Sequence, residues 1–350
     1  MGGIWQRAHV PSLAWLGVAL LLIIFPPWLA GGYRIFQFTF VVIYLIAILG
    51  LNIVTGYNGQ FSLGHGAFFA VGAYVTGALM FHAGAPYWAT IPLAGLTAGV
   101  VGFLFAIPAL RLSGLYLALA TLALAISVPQ ILKKWESVTG GVQGLVLTKP
   151  HSPIGALTSD QWLFYFTAVV ALALYIAAWV VLRSSVGRAF VAIRDNEVAA
   201  EAAGIPIARF KTLAFGMSAF YAGVAGSLSA FVVAYVAPDS FDFLLSLNLV
   251  VGMVVGGTGT IVGPALGAVF IEFLPSYSQD VSRAAPGVVE GVVLVLFMYL
   301  MPTGVAGFVA TAGRKALSLV RRRTADHAAA GPVTPTLADQ EPRAGPGEGG

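Results

Sequence analysis

Apolar runs of about 20 residues follow one another along most of this chain, each long enough to cross a hydrocarbon core of about 30 Å as a helix. They fall at Ser12 to Ala30, Ile35 to Val54, Phe61 to Phe81, Trp88 to Pro108, Leu112 to Leu132, Trp162 to Leu182, Thr212 to Val236 and Val288 to Val309. Only 9% of the 350 residues are charged and 58% are hydrophobic, too little polar surface to coat a soluble globule. Lipid has to cover the rest. The first run lacks a small-residue cleavage pattern and ends in Pro26-Pro27, so it reads as a retained span. Cysteine is absent, which removes disulfides, thiolate metal sites and cysteine nucleophiles together.

One apolar segment does not fit the pattern. Leu244 to Leu274 is cut by Gly256-Gly257-Thr258-Gly259-Thr260 and then Gly263-Pro264. Each half, at about 13 residues, is only about 20 Å long as a helix. The expected fold is therefore all-α: a polytopic membrane helical bundle with about eight full spans plus a Gly-interrupted re-entrant helical hairpin.

Basic residues set the orientation, because short cytoplasmic loops retain Lys and Arg. The segments Arg183 to Lys211 and Arg314 to Arg323 are the richest and are expected to be cytoplasmic, with both chain termini. Counting spans back from the first segment puts Arg111 inside and Arg34 outside, a consistent alternation. The span Thr212 to Val236 then exits outward, so the interrupted segment must begin and end outside with its glycine turn pointing in. The positive charge follows membrane sidedness and predicts no nucleic-acid partner. Residues 1–11 form the cytoplasmic N-terminus, 12–311 the membrane domain with 183–211 as its cytoplasmic loop, and 312–350 a basic, then Ala-, Gly- and Pro-rich tail expected to be disordered.

Within the cytoplasmic loop, Asn196 is a fitting N-cap, Glu197 favours the positive end of a helix dipole, and Gly204 before Pro206 supplies a stop. The spacing predicts a two-turn surface helix with Arg194, Glu197 and Glu201 on its outer face. Alone in water so short a helix does not hold, so it must pack on its own membrane domain or on another protein.

The stretch Arg194 to Leu228, RDNEVAAEAAGIPIARFKTLAFGMSAFYAGVAGSL, resembles the EAA loop and following helix of bacterial ABC importer permeases of the branched-chain amino acid LivH/LivM type. The blocks Gly50 to Gly77 and Gly256 to Pro275 look like two further signatures of the LivM members, and the three occur in the family's order. Gly204 follows Glu201-Ala202-Ala203 directly, without the spacer of the general consensus. The resemblance implies a multi-pass permease of the bacterial inner membrane that takes branched-chain or other hydrophobic amino acids from an external binding protein. It implies cytoplasmic ATP-binding subunits and a second permease, a paralogue, as partners. It makes Arg194, Asp195, Asn196, Glu197, Glu201 and Gly204 the contact with the ATPase. No G-x-x-x-x-G-K-[ST] loop is present, so no cofactor is expected on this chain, and ATP with magnesium belongs to the partner.

Irregular backbone at membrane depth is tolerated where protein buries it or where it lines an aqueous cavity. Tyr57, Asn58, Gln60, Ser62 and His65, and Gly256, Gly257, Thr258 and Gly259, are accordingly the candidate pathway or gate. For His65 the sequence leaves two readings, a hydrogen-bonded residue at a helix end or part of that pathway, and for the turn glycines close helix packing is the alternative. No second ligand stands at metal spacing from His65. Glu272 and Glu290 are expected near the outer ends of their helices, snorkelling or pairing. An ion-coupled transporter would explain the interrupted segments but not the loop, a channel only the glycine-rich backbone, and related permeases carry urea or short amides.

Overall fold

The computed structural model describes residues 31–300, apart from 113, 154, 156 and 282–285, together with 304–308. The expectations for Ser12 to Ala30, Arg283, part of Val288 to Val309 and the tail beyond it lie outside them. The chain divides into two compact units, and all the helices of the bundle belong to the first, residues 1–307.

Eleven helices matter to the site. In chain order α1 is Gly32–Leu51, α2 His65–Ala83, α3 Tyr87–Ala109, α4 Leu115–Lys134, α5 Ser159–Arg183, α6 Ser185–Asp195, α7 Glu197–Ala202, α8 Ile207–Val233, α9 Phe243–Gly256, α10 Gly263–Val281 and α11 Pro286–Leu300. A π-helical turn, Asn52–Tyr57, continues α1. Among the described residues, 7 helices are long and apolar enough to cross a membrane. Local chemistry sets several boundaries. Thr158 and Gln161 form a reciprocal capping box on α5, Asp242 caps α9 through the Leu245 N–H at 3.2 Å, and Gly84, at φ 59°, ends α2 in the left-handed region that favours glycine.

Helix α8 is the axis of the bundle, with 83% of its membrane window buried, against 28% for α5 on the periphery. Its small residues make this possible. A Cβ at Gly72 of α2 would overlap the Gly223 carbonyl, and one at Gly226 would overlap that of Phe69, so α2 and α8 touch backbone to backbone. Ala98 and Gly102 of α3 fit against Gly223 and Ala219 in the same way. With no hydrophobic gain between helices in lipid, such close approach maximises dispersion contact. A hydrogen bond between Thr76 Oγ1 and Ser227 Oγ, at 2.6 Å, fixes the α2–α8 register.

The two ends of the bundle differ. At one, a small cap ties the α4–α5 connection to the end of α8. Strands β1 (Leu145–Val146) and β2 (Tyr235–Val236) pair antiparallel, Leu145 opposite Val236, and Lys133 pairs with Asp239 at 2.5 Å. At the other lie the α6–α7 loop, the π turn after α1 and the glycine turn between α9 and α10. Both ends of the α9–α10 hairpin face the cap, since Asp239 is there and Gln37, near the start of α1, donates to Ser276 Oγ at 2.9 Å. This is the orientation that the alternation of spans requires.

The hairpin is longer than the sequence suggested. Helix α10 has 19 residues, about 28 Å, because it runs through Pro275 to Val281 instead of stopping at Leu274. Proline removes one backbone donor, yet packing along α1 holds the helix, with Phe273 edge-on to Phe38 at 5.7 Å. The tip therefore reaches the loop end of the bundle. The same extension moves Glu272 to the middle of α10, where it is half-buried rather than near an outer end. Glu290 is the fifth residue of α11.

Candidate functional site

The α6–α7 loop folds as its residues dictate. The side chain of Ser184 caps α6, accepting from the Val186 N–H at 3.1 Å. Asn196 stands between the helices and its Oδ1 accepts from the Ala199 N–H at 3.0 Å. Gly204, at φ 81°, closes α7, with Gly204 N donating to Glu201 O at 2.8 Å and Ile205 N to Ala200 O at 3.0 Å. A helix too short to persist alone is thus capped at both ends and seated by Ala200, its one buried residue. Lys211 of α8 holds Glu197 at 2.6 Å.

This seating decides what α7 presents. Glu197 pairs with Lys211 yet stays exposed, and the same helix presents Glu201 and Val198, the latter 78% exposed. Val198 was missed in the sequence, where a valine among alanines gives no sign of which way it points. Arg194, the next-to-last residue of α6, is exposed as expected, and its side chain also reaches the π turn. Its Nε and Nη2 donate to Asp195 Oδ1 at 3.1 and 3.0 Å, and its Nη1 donates to the Gly56 carbonyl at 2.9 Å. The guanidinium reaches the Gly56 carbonyl because the last carbonyls of a helix lack intrahelical partners and carry the negative end of its dipole.

The two glycine-rich segments converge beside it. Asn52, in the π turn, accepts the Gly259 N–H at 2.8 Å and donates through Nδ2 to the Thr260 carbonyl at 2.8 Å. A Cβ at Gly56 would stand 2.6 Å from Gly259 N, so only glycine lets the π turn and the hairpin tip approach this closely. The tip folds on itself through Thr260 Oγ1, which donates to Gly257 O at 2.8 Å and accepts from Gly263 N at 3.1 Å. Gly304, beyond α11, backs onto Gly257. Asn52 was overlooked in the sequence, although a lone amide in the run Leu51-Asn52-Ile53 was the available signal.

Residues 58–64 run from this junction into the bundle. Asn58, Gln60 and Ser62 are buried, with Gln60 Nε2 donating to Asn58 Oδ1 at 2.7 Å and Leu63 N to Thr121 Oγ1 of α4 at 2.9 Å. Where α2 starts, Gly66 N donates to Ser246 Oγ of α9 at 2.9 Å. His65 lies deeper than the edge of the spans: its Nε2 faces Gly50, against which Ser218 and Tyr221 of α8 also pack, and Ser218 is about 16 Å along α8 from Ile207. Its ring donates to the Ala47 carbonyl, whereas Nε2, with Ser218 Oγ and Asn58 Nδ2, is buried without a partner among the described residues. Buried polar atoms seldom stay unpaired. Tyr57 is half-buried, Gly256 and Gly257 are buried, and Thr258 is exposed. No group of His, Asp or Glu among the described residues could hold a metal ion.

A bundle of membrane-length helices, with two interrupted segments and a charged loop helix gathered at one end, is the architecture expected of a polytopic transport permease. The family described as branched-chain amino acid transport system, permease component, matches residues 34–301, and the chain belongs to it. The high-affinity branched-chain amino acid transport permease LivM of Escherichia coli K12 is 32% identical over 84% of this chain and 75% of its own length. LivH of the same strain is 26% identical over 75% of this chain and 91% of its own. The autoinducer 2 import permease LsrC of Enterobacter sp. 638 is 36% identical over 30% of this chain and 32% of its own length. No solved structure matches the chain. The chain is a permease subunit of an ABC importer, and ATP hydrolysis belongs to separate subunits.

Proposed function

We propose that this chain forms one half of the translocation pathway for branched-chain or other hydrophobic amino acids. A paralogous permease supplies the other half and an external binding protein delivers the cargo. Cytoplasmic subunits binding ATP and magnesium dock on α7, with both termini of this chain on the same side of the inner membrane. One observation carries the docking role: α7 is capped, seated on the bundle, and still presents Val198 and Glu201 to solvent. An exposed apolar side chain on a braced helix is what a partner groove can bury. Asn196 and Gly204 define that helix, while Asp195 and Glu197 orient it. The pathway role of residues 57–65 and 256–259 is supported by buried, interrupted backbone and by the unpartnered polar atoms of His65, Ser218 and Asn58.

Uptake into vesicles holding the complete complex tests the proposal. Leucine, isoleucine or valine should enter with ATP present after ion gradients are collapsed. Uptake that follows the gradient instead, or a binding protein that takes urea and no amino acid, would overturn the energy source or the cargo respectively.

A further inference from the structure

We infer that Arg194 is a positioning residue that joins the α6–α7 loop to both interrupted segments, so that movement of the loop reaches the π turn and the hairpin tip; this rests on α7 being the docking helix. One guanidinium makes three hydrogen bonds. Two go to Asp195 Oδ1, at 3.1 and 3.0 Å, on the last residue of α6 immediately before the cap of α7. The third, at 2.9 Å, goes to the carbonyl of Gly56 in the π turn. Asn52, one turn back, holds the hairpin tip through Gly259 N and the Thr260 carbonyl, both at 2.8 Å. A Cβ at Gly59 would come within 2.9 Å of Arg194 Cγ, and one at Gly259 within 3.1 Å of its Nη1, so both glycine-rich segments close on this side chain.

The chemistry suits transmission rather than docking. A guanidinium is planar and permanently charged, and its fork can fix a carboxylate with two donors while another serves a different acceptor. A lysine in its place has one ammonium on a flexible stem and cannot hold both partners in one geometry. The π turn adds a reason: such single-turn irregularities are rare, recur at functional sites and are where helices kink. Pulling on the Gly56 carbonyl would therefore displace the π turn and, through Asn52, the hairpin tip together.

The test uses the complete complex in proteoliposomes with Arg194→Ala and Arg194→Lys. Arg194→Ala should bind the ATPase subunits within about threefold of the unchanged chain, because Val198 and Glu201 are untouched. Uptake should fall at least tenfold, and ATP hydrolysis should cease to respond to loaded binding protein; Arg194→Lys should restore only part of each. A single cysteine at exposed Thr258 reads the tip directly. Its maleimide labelling rate should differ between nucleotide-free and ATP-trapped complexes, and the difference should vanish in Arg194→Ala. A tenfold loss of ATPase affinity in Arg194→Ala would make Arg194 a docking contact and overturn the inference. So would normal uptake, or state-independent labelling of Thr258→Cys with Arg194 intact, a readout that does not depend on how the variant folds. If Val198→Asp leaves ATPase binding unchanged, the docking reading itself has failed; if it abolishes binding while Arg194→Ala transports normally, only this inference has.

Discussion

Removing the Val198 side chain is the most direct trial of the docking face. Val198 is 78% exposed in the free chain, so its own fold gains little from it. Substitution should shift the stability of the membrane domain by no more than about 0.5 kcal/mol, the usual range for surface changes. Docking changes the account. Val198→Ala deletes two methyl groups, and at about 0.8 kcal/mol for each buried carbon this removes about 1.6 kcal/mol per docked helix, an affinity loss of about fifteenfold. Val198→Asp places an unpaired carboxylate in the same desolvated site and should cost several kcal/mol more. The assay is titration of nanodisc-held permease with the purified ATPase subunit, beside thermal unfolding of the permease alone. Unchanged affinity for Val198→Asp with an unchanged unfolding curve would refute the reasoning, because it would leave the most exposed apolar residue of α7 facing only water.

Three other outcomes are expected from the same geometry. Glu201→Lys should reach the membrane at normal abundance but lose ATPase association and ATP-driven uptake, since a reversed charge at a desolvated contact costs several kcal/mol and at an exposed one almost nothing; Asp326→Lys in the tail should be silent, and equal damage from both would show that α7 is only a solvated loop. Gly204→Val forces a β-branched residue to φ 81°, a strain of about 1–2 kcal/mol confined to the end of α7, so uptake should drop while the bundle's melting temperature stays within a few degrees. Cysteines introduced singly at Ser137, beside the cap, and Ser185, at the start of α6, should label from opposite sides of the membrane, and labelling from one side would overturn the proposed orientation.

Within the described residues, the sequence by itself determined the class of fold, the caps of α7 and which end of the bundle both ends of the hairpin share. Those depend on local or additive properties: the length of an apolar run, the side-chain chemistry at Asn196, the left-handed backbone at Gly204, and the alternation of successive spans. Partnership across the bundle is not local. That Arg194 is tied to the membrane helices depends on where the Gly56 carbonyl lies, at the end of a π turn 138 positions earlier in the chain. Asn52 looked like one polar residue in an apolar run until the hairpin tip, 207 positions on, supplied both halves of its amide with partners. The length of α10 was hidden by Pro275, whose lost donor weighs less than the packing of Phe273 and Ser276 along α1, and with that length came the place of the hairpin tip beside Arg194. Only tertiary structure could decide these, because a polar group without a local partner must find one on whichever element lies beside it.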